Sequence, residues 1–283
     1  MPSSAHLRLI IAALLFSTGG AAIKQATLTN WQVAGFRSGV AVLALLCMTP
    51  EARRGFSWRG ALVGVAYAAT LILFVTATKL TTAANTIFLQ STAPVYILLL
   101  GPWLLQERFN KKDISFLGVV AVGLSLFFFG NDQPSATAPN PFLGNIIALI
   151  SGVAWGLTIL GLRWMSRDPS AAGSTSAVIL GNVIAFVACL PMALPVTDVS
   201  ALDVTMILYL GIFQIGLAYL FLTIAMKQLA ALEASLLLLI EPALNPLVAW
   251  MVHGEVPSAL ALVGGTIILG ATLFKTWRDT RAA

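Results

Sequence analysis

Apolar residues follow one another along this chain in long runs, separated by short breaks that contain Gly, Pro and charged residues. A helix needs about 20 apolar residues to cross a membrane, and the runs have roughly that length. They lack the alternation of polar and apolar residues that the strands of a membrane barrel show. The pattern therefore predicts an all-α integral membrane protein with ten spans, at about residues 7–27, 31–49, 58–79, 81–105, 113–130, 142–163, 173–194, 204–226, 231–252 and 258–276.

The composition limits what else the chain can contain. Hydrophobic residues make up 58% of its 283 residues and charged residues only 10%, which leaves no room for a soluble catalytic or nucleic-acid-binding domain. Motifs of the P-loop, EF-hand, HExxH and CxxC types do not occur in the sequence. We therefore expect no catalytic residue, no metal, no cofactor and no nucleic-acid partner. The expected partners are the lipid bilayer and a small-molecule substrate; a monomer is plausible, but the sequence leaves the oligomeric state open.

Positive charges set the predicted orientation. The loops on the side of the membrane away from both termini hold no Lys or Arg. Of the 16 Lys and Arg residues, three lie at or inside that end of a span, namely Lys24, Arg37 and Lys79. Because cytoplasmic loops carry an excess of Lys and Arg, both termini are predicted to be cytoplasmic.

The second half of the chain repeats the first. Residues 94–123 read P-x12-E-x10-G-x4-G, and residues 242–270 read P-x12-E-x9-G-x4-G. Each half has five spans, an odd number, so the halves enter the membrane in opposite directions. The sequence therefore predicts a first five-helix repeat at 1–130, an external linker at 131–141 and an inverted second repeat at 142–283.

Several of these features resemble a known family. The ten spans, the Pro-to-Glu stretch that closes the fourth span of each half and the Gly-spaced fifth span are similar to EamA-type members of the drug/metabolite transporter superfamily. Phe36-Arg37-Ser38-Gly39 and Ala77-Thr78-Lys79 match the same pattern. The chain is most similar to bacterial exporters of aromatic and other apolar amino acids.

The resemblance implies secondary active or facilitative export across the bacterial inner membrane by alternating access. Alternatives remain: a transporter of drugs, other metabolites or lipids with the same fold, a channel, or a membrane-embedded lipid-modifying enzyme. The enzyme would need paired carboxylates or a His–Asp pair near one interface, which the sequence does not offer.

Polar and aromatic residues near the centres of the spans predict a substrate site at the membrane midplane. Aromatic residues normally gather at the interfaces, so those at mid-depth are displaced. Polar stripes on the fourth and ninth spans would be costly in lipid and should face the bundle interior. The predicted substrate-binding residues are Tyr67, Thr86, Gln90, Ser91, Trp155, Gln214, Tyr219, Glu241 and Asn245.

Glu241 is the only carboxylate near the centre of a predicted span. Burial disfavours the charged form of a carboxyl group, and two interpretations stay open. Glu241 either couples transport to protons or binds a substrate ammonium, or it is a structural residue beside the kink expected at Pro242. Its repeat mate is Ala93, and the mate of Gln90 is Leu238, so the repeat is imperfect at this depth.

The remaining charges near the ends of spans have simpler interpretations. Arg37 and Lys79 are predicted to form a basic outer vestibule that meets a substrate carboxylate. The alternative is that they reach the interface by snorkelling, with Arg37 hydrogen-bonded to a neighbouring helix end. For Lys24 the snorkelling interpretation is favoured. Glu107 and Glu255, the carboxylates of the repeated motif, are expected to cap helices or pair with loop groups.

Overall fold

The structure, a computed structural model, describes residues 4–50, 52, 57–104, 113–129, 133–166, 173–225, 237–238 and 240–281; Glu107 lies outside them. Their helices are α1 Ser4–Ser17, α2 Gly19–Gln25, α3 Asn30–Met48, α4 Trp58–Leu80, α5 Ala83–Gln90, α6 Ala93–Leu104, α7 Asp113–Phe129, α8 Pro141–Ser166, α9 Ser174–Ala193, α10 Ala201–Tyr209, a π-helical segment Leu210–Leu217, α11 Ala218–Ala225, α12 Ile240–His253 and α13 Ala259–Arg281.

These helices form the ten predicted spans. The first span consists of α1 and α2, the fourth of α5 and α6, and the eighth of α10, the π-helical segment and α11, while every other helix is one span. Seven spans in the described part of the chain are long and apolar enough to cross a membrane, and the shorter fifth and tenth are apolar too. Large apolar side chains such as Leu43, Val65 and Trp103 stay exposed on the outer faces. This surface suits lipid, and the predicted fold class is confirmed.

Two spans break near their middle. The first span, predicted as continuous, is interrupted at Thr18, whose hydroxyl donates to Leu15 O at 2.7 Å and lies 2.7 Å from the Tyr209 hydroxyl. The fourth span breaks at Ser91–Thr92, directly before Pro94. Proline has no N–H to donate to the carbonyl four residues earlier, so it fits the first turn of α6 and not the interior of a longer helix.

Contacts between the halves follow a two-fold exchange of the repeats. The second span packs on the seventh and the fifth on the tenth, which are repeat mates of each other. The third span packs on the sixth, and their repeat mates, the eighth and the first, are also in contact. The third span packs on the seventh as well, and the eighth packs on the second in the same way. The fourth packs on the sixth as the ninth packs on the first. Since each half has five spans, this exchange inverts the chain direction, as the sequence predicted.

The fifth and tenth spans touch through glycine. A Cβ atom added to Gly264 would lie 2.6 Å from Gly123 O and 2.8 Å from the Phe127 ring. Gly264 and Gly123 thus bring two backbones together, the usual role of small residues between membrane helices. By contrast, Gly118 and Gly270 of the repeated motif have open space where a Cβ would be.

One end of the bundle gathers the loops 26–29, 81–82, 133–140, 194–200 and 254–258, and we call it the linker end. Lys24 lies there in an ion pair with Glu255, and both side chains are 3% exposed. Lys24 Nζ also donates to Thr81 O at 2.8 Å and to Thr137 O, while Glu255 accepts from Ala83 N at 3.0 Å. The pairing expected for Glu255 is confirmed. The snorkelling interpretation of Lys24 is wrong, because its side chain is buried in this ion pair. Its partners lie in loops distant in the sequence, so no local pattern reveals them.

Further polar contacts close the linker end. Lys79 donates to Ala26 O, and His253 Nε2 lies 2.9 Å from Ala21 O. The buried Asp203 carboxylate accepts from Thr27 N at 2.6 Å and from the Thr27 hydroxyl at 2.9 Å. Each contact joins the first span to another span, so the linker end is tied together around α2.

The close approach of Gly264 to Gly123 predicts opposite effects on stability for two glycine-to-alanine substitutions in α13. Gly264→Ala pushes the fifth and tenth spans apart and should cost about 1–3 kcal/mol, the usual cost of overpacking. Gly270→Ala meets open space and should be neutral or stabilising by up to about 1 kcal/mol, because alanine favours helix. Unfolding of the detergent-purified variants measures both; equal stability of the two variants would contradict the crossing.

The ion pair at the linker end predicts a strong loss of stability when one partner is removed. Lys24→Met leaves the Glu255 carboxylate buried without its cation, which should cost about 3–5 kcal/mol. The double variant Lys24→Met/Glu255→Gln should recover part of this loss in the same unfolding experiment. A Lys24→Met protein as stable as the wild type would support snorkelling instead.

Candidate functional site

A cavity of about 220 Å³ lies between the two halves of the bundle. Its walls come from eight of the ten spans, all except the fifth and the seventh. The lining residues are Phe16, Arg37, Thr70, Leu71, Phe74, Ile87, Gln90, Ser91, Ala93, Pro94, Trp155, Ile159, Gln214, Ile215, Tyr219, Leu222, Leu238, Glu241, Pro242 and Thr272. This composition is mainly apolar and aromatic with a few polar groups, as is usual for small-molecule sites.

Six of the nine predicted substrate-binding residues line this cavity. They are Gln90, Ser91, Trp155, Gln214, Tyr219 and Glu241. They come from the fourth, sixth, eighth and ninth spans, so the fold brings together side chains far apart in the sequence. The break at Ser91–Thr92 places Ser91 and Pro94 in the same wall.

The other three predicted residues lie outside the lining for identifiable reasons. Tyr67 is one turn before the lining residue Thr70, where the ring of Tyr219 packs on it at 5.2 Å between centroids. Thr86 lies one turn before the lining residue Gln90; it is fully buried, and its hydroxyl donates to Thr82 O. Asn245 lies one turn beyond Glu241 and is buried against Gly20 of the first span.

Arg37 is in the cavity wall, not in an outer vestibule as the sequence suggested. Its side chain is 1% exposed, and its guanidinium donates to Gln214 Oε1 at 3.3 Å and to Leu71 O at 3.2 Å. Arg37 Nε has no hydrogen-bond partner among the described residues. Within the same residues no carboxylate lies within ion-pair distance of Arg37. A buried cation with only neutral acceptors is costly unless a ligand supplies the negative charge.

Lys79 does not join Arg37. Its ammonium group donates to Ala26 O at the linker end, and it interacts electrostatically with the Asp203 carboxylate. The two residues predicted to share one vestibule therefore belong to different parts of the bundle.

Glu241 supplies a carboxyl group to the cavity. It lies in the first turn of α12 beside Pro242, and Tyr219 faces it across the lining. Among the described residues no cation lies within ion-pair distance of the Glu241 carboxyl group. The cavity thus holds one basic and one acidic side chain that do not pair with each other, with Tyr219 within electrostatic reach of both.

An aromatic group forms the apolar part of the wall. The rings of Phe16 and Tyr219 meet edge to face at 5.2 Å, and Phe74 and Trp155 line the cavity as well. Sequence reasoning identified Trp155 and Tyr219 but missed Phe16, Phe74, Thr70 and Thr272. These four are ordinary residues of membrane helices, so no pattern in the sequence distinguishes them.

Positions at which the two repeats carry different residues line this cavity. Ala93 and its mate Glu241 both line it, as do Gln90 and its mate Leu238. Gln90 also donates to the Ser151 hydroxyl at 2.8 Å. The packing of the spans is therefore two-fold symmetric, whereas the side chains that line the cavity are not. Among the described residues no three His, Cys, Asp or Glu side chains are grouped to hold a metal ion.

Comparison with known proteins gives relatives that match all or most of the chain. An uncharacterized protein of Pseudomonas aeruginosa is 30% identical over 302 residues, which cover 99% of each chain. The uncharacterized transporter YdfC of Bacillus subtilis is 23% identical over 197 residues, or 69% of this chain and 63% of that protein, so the match spans less than two thirds of it.

A solved structure described only as a crystal structure of a protein matches 100% of this chain and 99% of its own, with a TM-score of 0.65 at 20% identity. A likeness at this identity indicates a shared fold. The model of the EamA-like transporter family matches residues 3–129 and again residues 142–277. With both halves matched in this way, the chain belongs to the EamA-like transporter family and is a multi-pass membrane transporter.

Proposed function

We propose that this transporter exports amino acids, aromatic and other apolar ones in particular, across the bacterial inner membrane. The observation that carries the proposal is one basic and one acidic side chain in the same cavity, Arg37 and Glu241, neither of which has an ion-pair partner among the described residues. A free amino acid presents a carboxylate and an ammonium group. Arg37 is suited to the carboxylate, since a guanidinium binds carboxylates through two parallel hydrogen bonds, and Glu241 is suited to the ammonium.

The rest of the wall suits an apolar side chain. Phe16, Phe74, Trp155 and Ile159 offer aromatic and aliphatic surface on the same cavity. Its volume of about 220 Å³ lies below the range of about 300–1,000 Å³ that is typical of drug-sized ligands. The volume therefore favours a molecule of amino-acid size over the alternatives of a larger drug or a lipid.

Alternating access would proceed by rocking of the two inverted halves around this cavity. The linker end is closed by Lys24, Glu255, Asp203 and their partners, whereas the lining extends towards the other end through Leu222 and Leu238. The distribution of Lys and Arg supports a cytoplasmic location for both termini. The structure then corresponds to a state closed to the outside, and release of substrate requires the linker-end contacts to separate.

Transport in proteoliposomes tests this function. Saturable counterflow of labelled L-phenylalanine and L-leucine is expected, with weaker counterflow of L-aspartate. A parallel measurement with an imposed proton gradient separates secondary active from facilitative transport. Unsaturable currents would indicate a channel, and absence of counterflow for a full panel of amino acids would overturn the proposed substrate class.

Removal of the basic group should weaken binding of the substrate carboxylate. Arg37→Gln is expected to raise the Kd for L-phenylalanine about 10–100-fold, as loss of a charged hydrogen bond costs about 1.5–3 kcal/mol. Arg59→Gln is the matched control, because Arg59 lies over the rings of Trp58 and Trp164 and outside the cavity. Equal effects of the two substitutions on binding would contradict the role of Arg37.

Removal of the acidic group should weaken binding of the substrate ammonium and change the pH dependence of transport. A charged Glu241 is needed to bind the ammonium, so transport by the wild type should rise with pH as the carboxyl group loses its proton. Glu241→Gln should lower transport and flatten this profile.

The groups that face Glu241 are Tyr219 and, beyond it, Arg37. Asp198→Asn, in the exposed loop before α10, is the control; an unchanged rate and profile in Glu241→Gln would favour the structural interpretation.

A further inference from the structure

The π-helical segment Leu210–Leu217 packs directly on the second span beside Arg37. A Cβ atom added to Gly211 would lie 2.8 Å from Arg37 O and 2.6 Å from the Val40 side chain. The wider turn of a π-helix changes the direction of the side chains within it, and such turns are frequent at functional sites. Here the segment carries Gln214 to the guanidinium of Arg37.

Gln214 is held from a second side by the break in the first span. A Cβ atom added to Gly19 would lie only 2.8 Å from Gln214 Nε2. The side chain of Gln214 is 7% exposed and lines the cavity. Because a guanidinium only donates hydrogen bonds, the amide oxygen faces Arg37 and the amide nitrogen faces the first span.

The acceptors that hold Arg37 are neutral. Gln214 Oε1 and Leu71 O each take one hydrogen bond from the guanidinium, which positions it without cancelling its charge. Glutamate has the same shape as glutamine but carries a negative charge. At position 214 it would pair with Arg37 inside the protein and occupy the charge that the substrate carboxylate needs.

We propose that Gln214 determines the charge selectivity of the cavity, because its neutral amide positions Arg37 while leaving the positive charge to a ligand carboxylate. The inference rests on the proposed function, since it requires Arg37 to bind the substrate. Gln214 is a specificity-determining residue in this account, and the π-helical segment and Gly19 together fix its place. Replacement by glutamate should shift the preference from carboxylate-bearing ligands to amines.

Three probes of related shape separate the two ends of the substrate. L-phenylalanine carries both charges, phenethylamine lacks the carboxylate, and 3-phenylpropionate lacks the ammonium. For Gln214→Glu we expect the Kd of L-phenylalanine and of 3-phenylpropionate to rise at least about 10-fold, as each 1.4 kcal/mol is a factor of ten. The Kd of phenethylamine should stay unchanged or fall. Binding to the full-length protein in detergent or nanodiscs measures all three.

Gln214→Met is the matched variant without a new charge. It removes one hydrogen bond to Arg37 but leaves the guanidinium charge free, so the loss for the two carboxylate ligands should be smaller than in Gln214→Glu, with phenethylamine unaffected. Gly19→Ala provides a second approach if Gln214→Glu does not fold. Its methyl group displaces the Gln214 amide and should weaken 3-phenylpropionate more than phenethylamine.

The outcomes separate this inference from the function on which it rests. Wild-type protein that binds none of the three probes would overturn both. Wild-type protein that binds L-phenylalanine and 3-phenylpropionate, with Gln214→Glu weakening all three probes equally or none of them, would overturn the role of Gln214 alone. Preferential loss of the two carboxylate probes in Gln214→Glu would establish it.

Discussion

Polar groups inside a membrane protein have no water to satisfy them, and this constraint decides where the charges of this chain lie. Lys24 and Glu255 satisfy each other between two halves of the bundle, and Asp203 is satisfied by Thr27 and Ser200. Arg37 is the exception among these buried charges. Its acceptors are neutral, and the cavity beside it is the place where a negative partner can enter.

The inverted repeat provides a symmetric frame, and the site departs from that symmetry. Contacts between spans exchange in pairs, whereas Glu241 faces the cavity opposite its mate Ala93 and Gln90 opposite its mate Leu238. The proposed rocking of the two halves would use this symmetric packing. The asymmetric lining can bind a molecule with two different ends. The contacts between spans thus follow the repeat, whereas the cavity lining does not.

Sequence reasoning recovered the features that follow from local patterns. The ten spans and the inversion of the halves follow from the lengths of the apolar runs and from the odd number of spans in each half. The cavity-lining residues that sequence reasoning identified are polar or aromatic residues at mid-span, such as Trp155 and Gln214. Features that depend on distant partners were missed. The break at Thr18 involves Tyr209, and the partner of Lys24 is Glu255, 231 residues away along the chain. The depth of Arg37 was also misjudged, since its partners Leu71 and Gln214 belong to other spans.

In the proposed function, one cavity between the halves binds an amino acid with its carboxylate on Arg37. The most direct measurement is an experimental structure of the protein with bound L-4-bromophenylalanine, in which anomalous scattering locates the bromine. The account predicts the bromine among the aromatic residues near Phe16 and Trp155, and the carboxylate within hydrogen-bond distance of the Arg37 guanidinium. A ligand outside this cavity, or one whose ammonium end is turned towards Arg37, would contradict it.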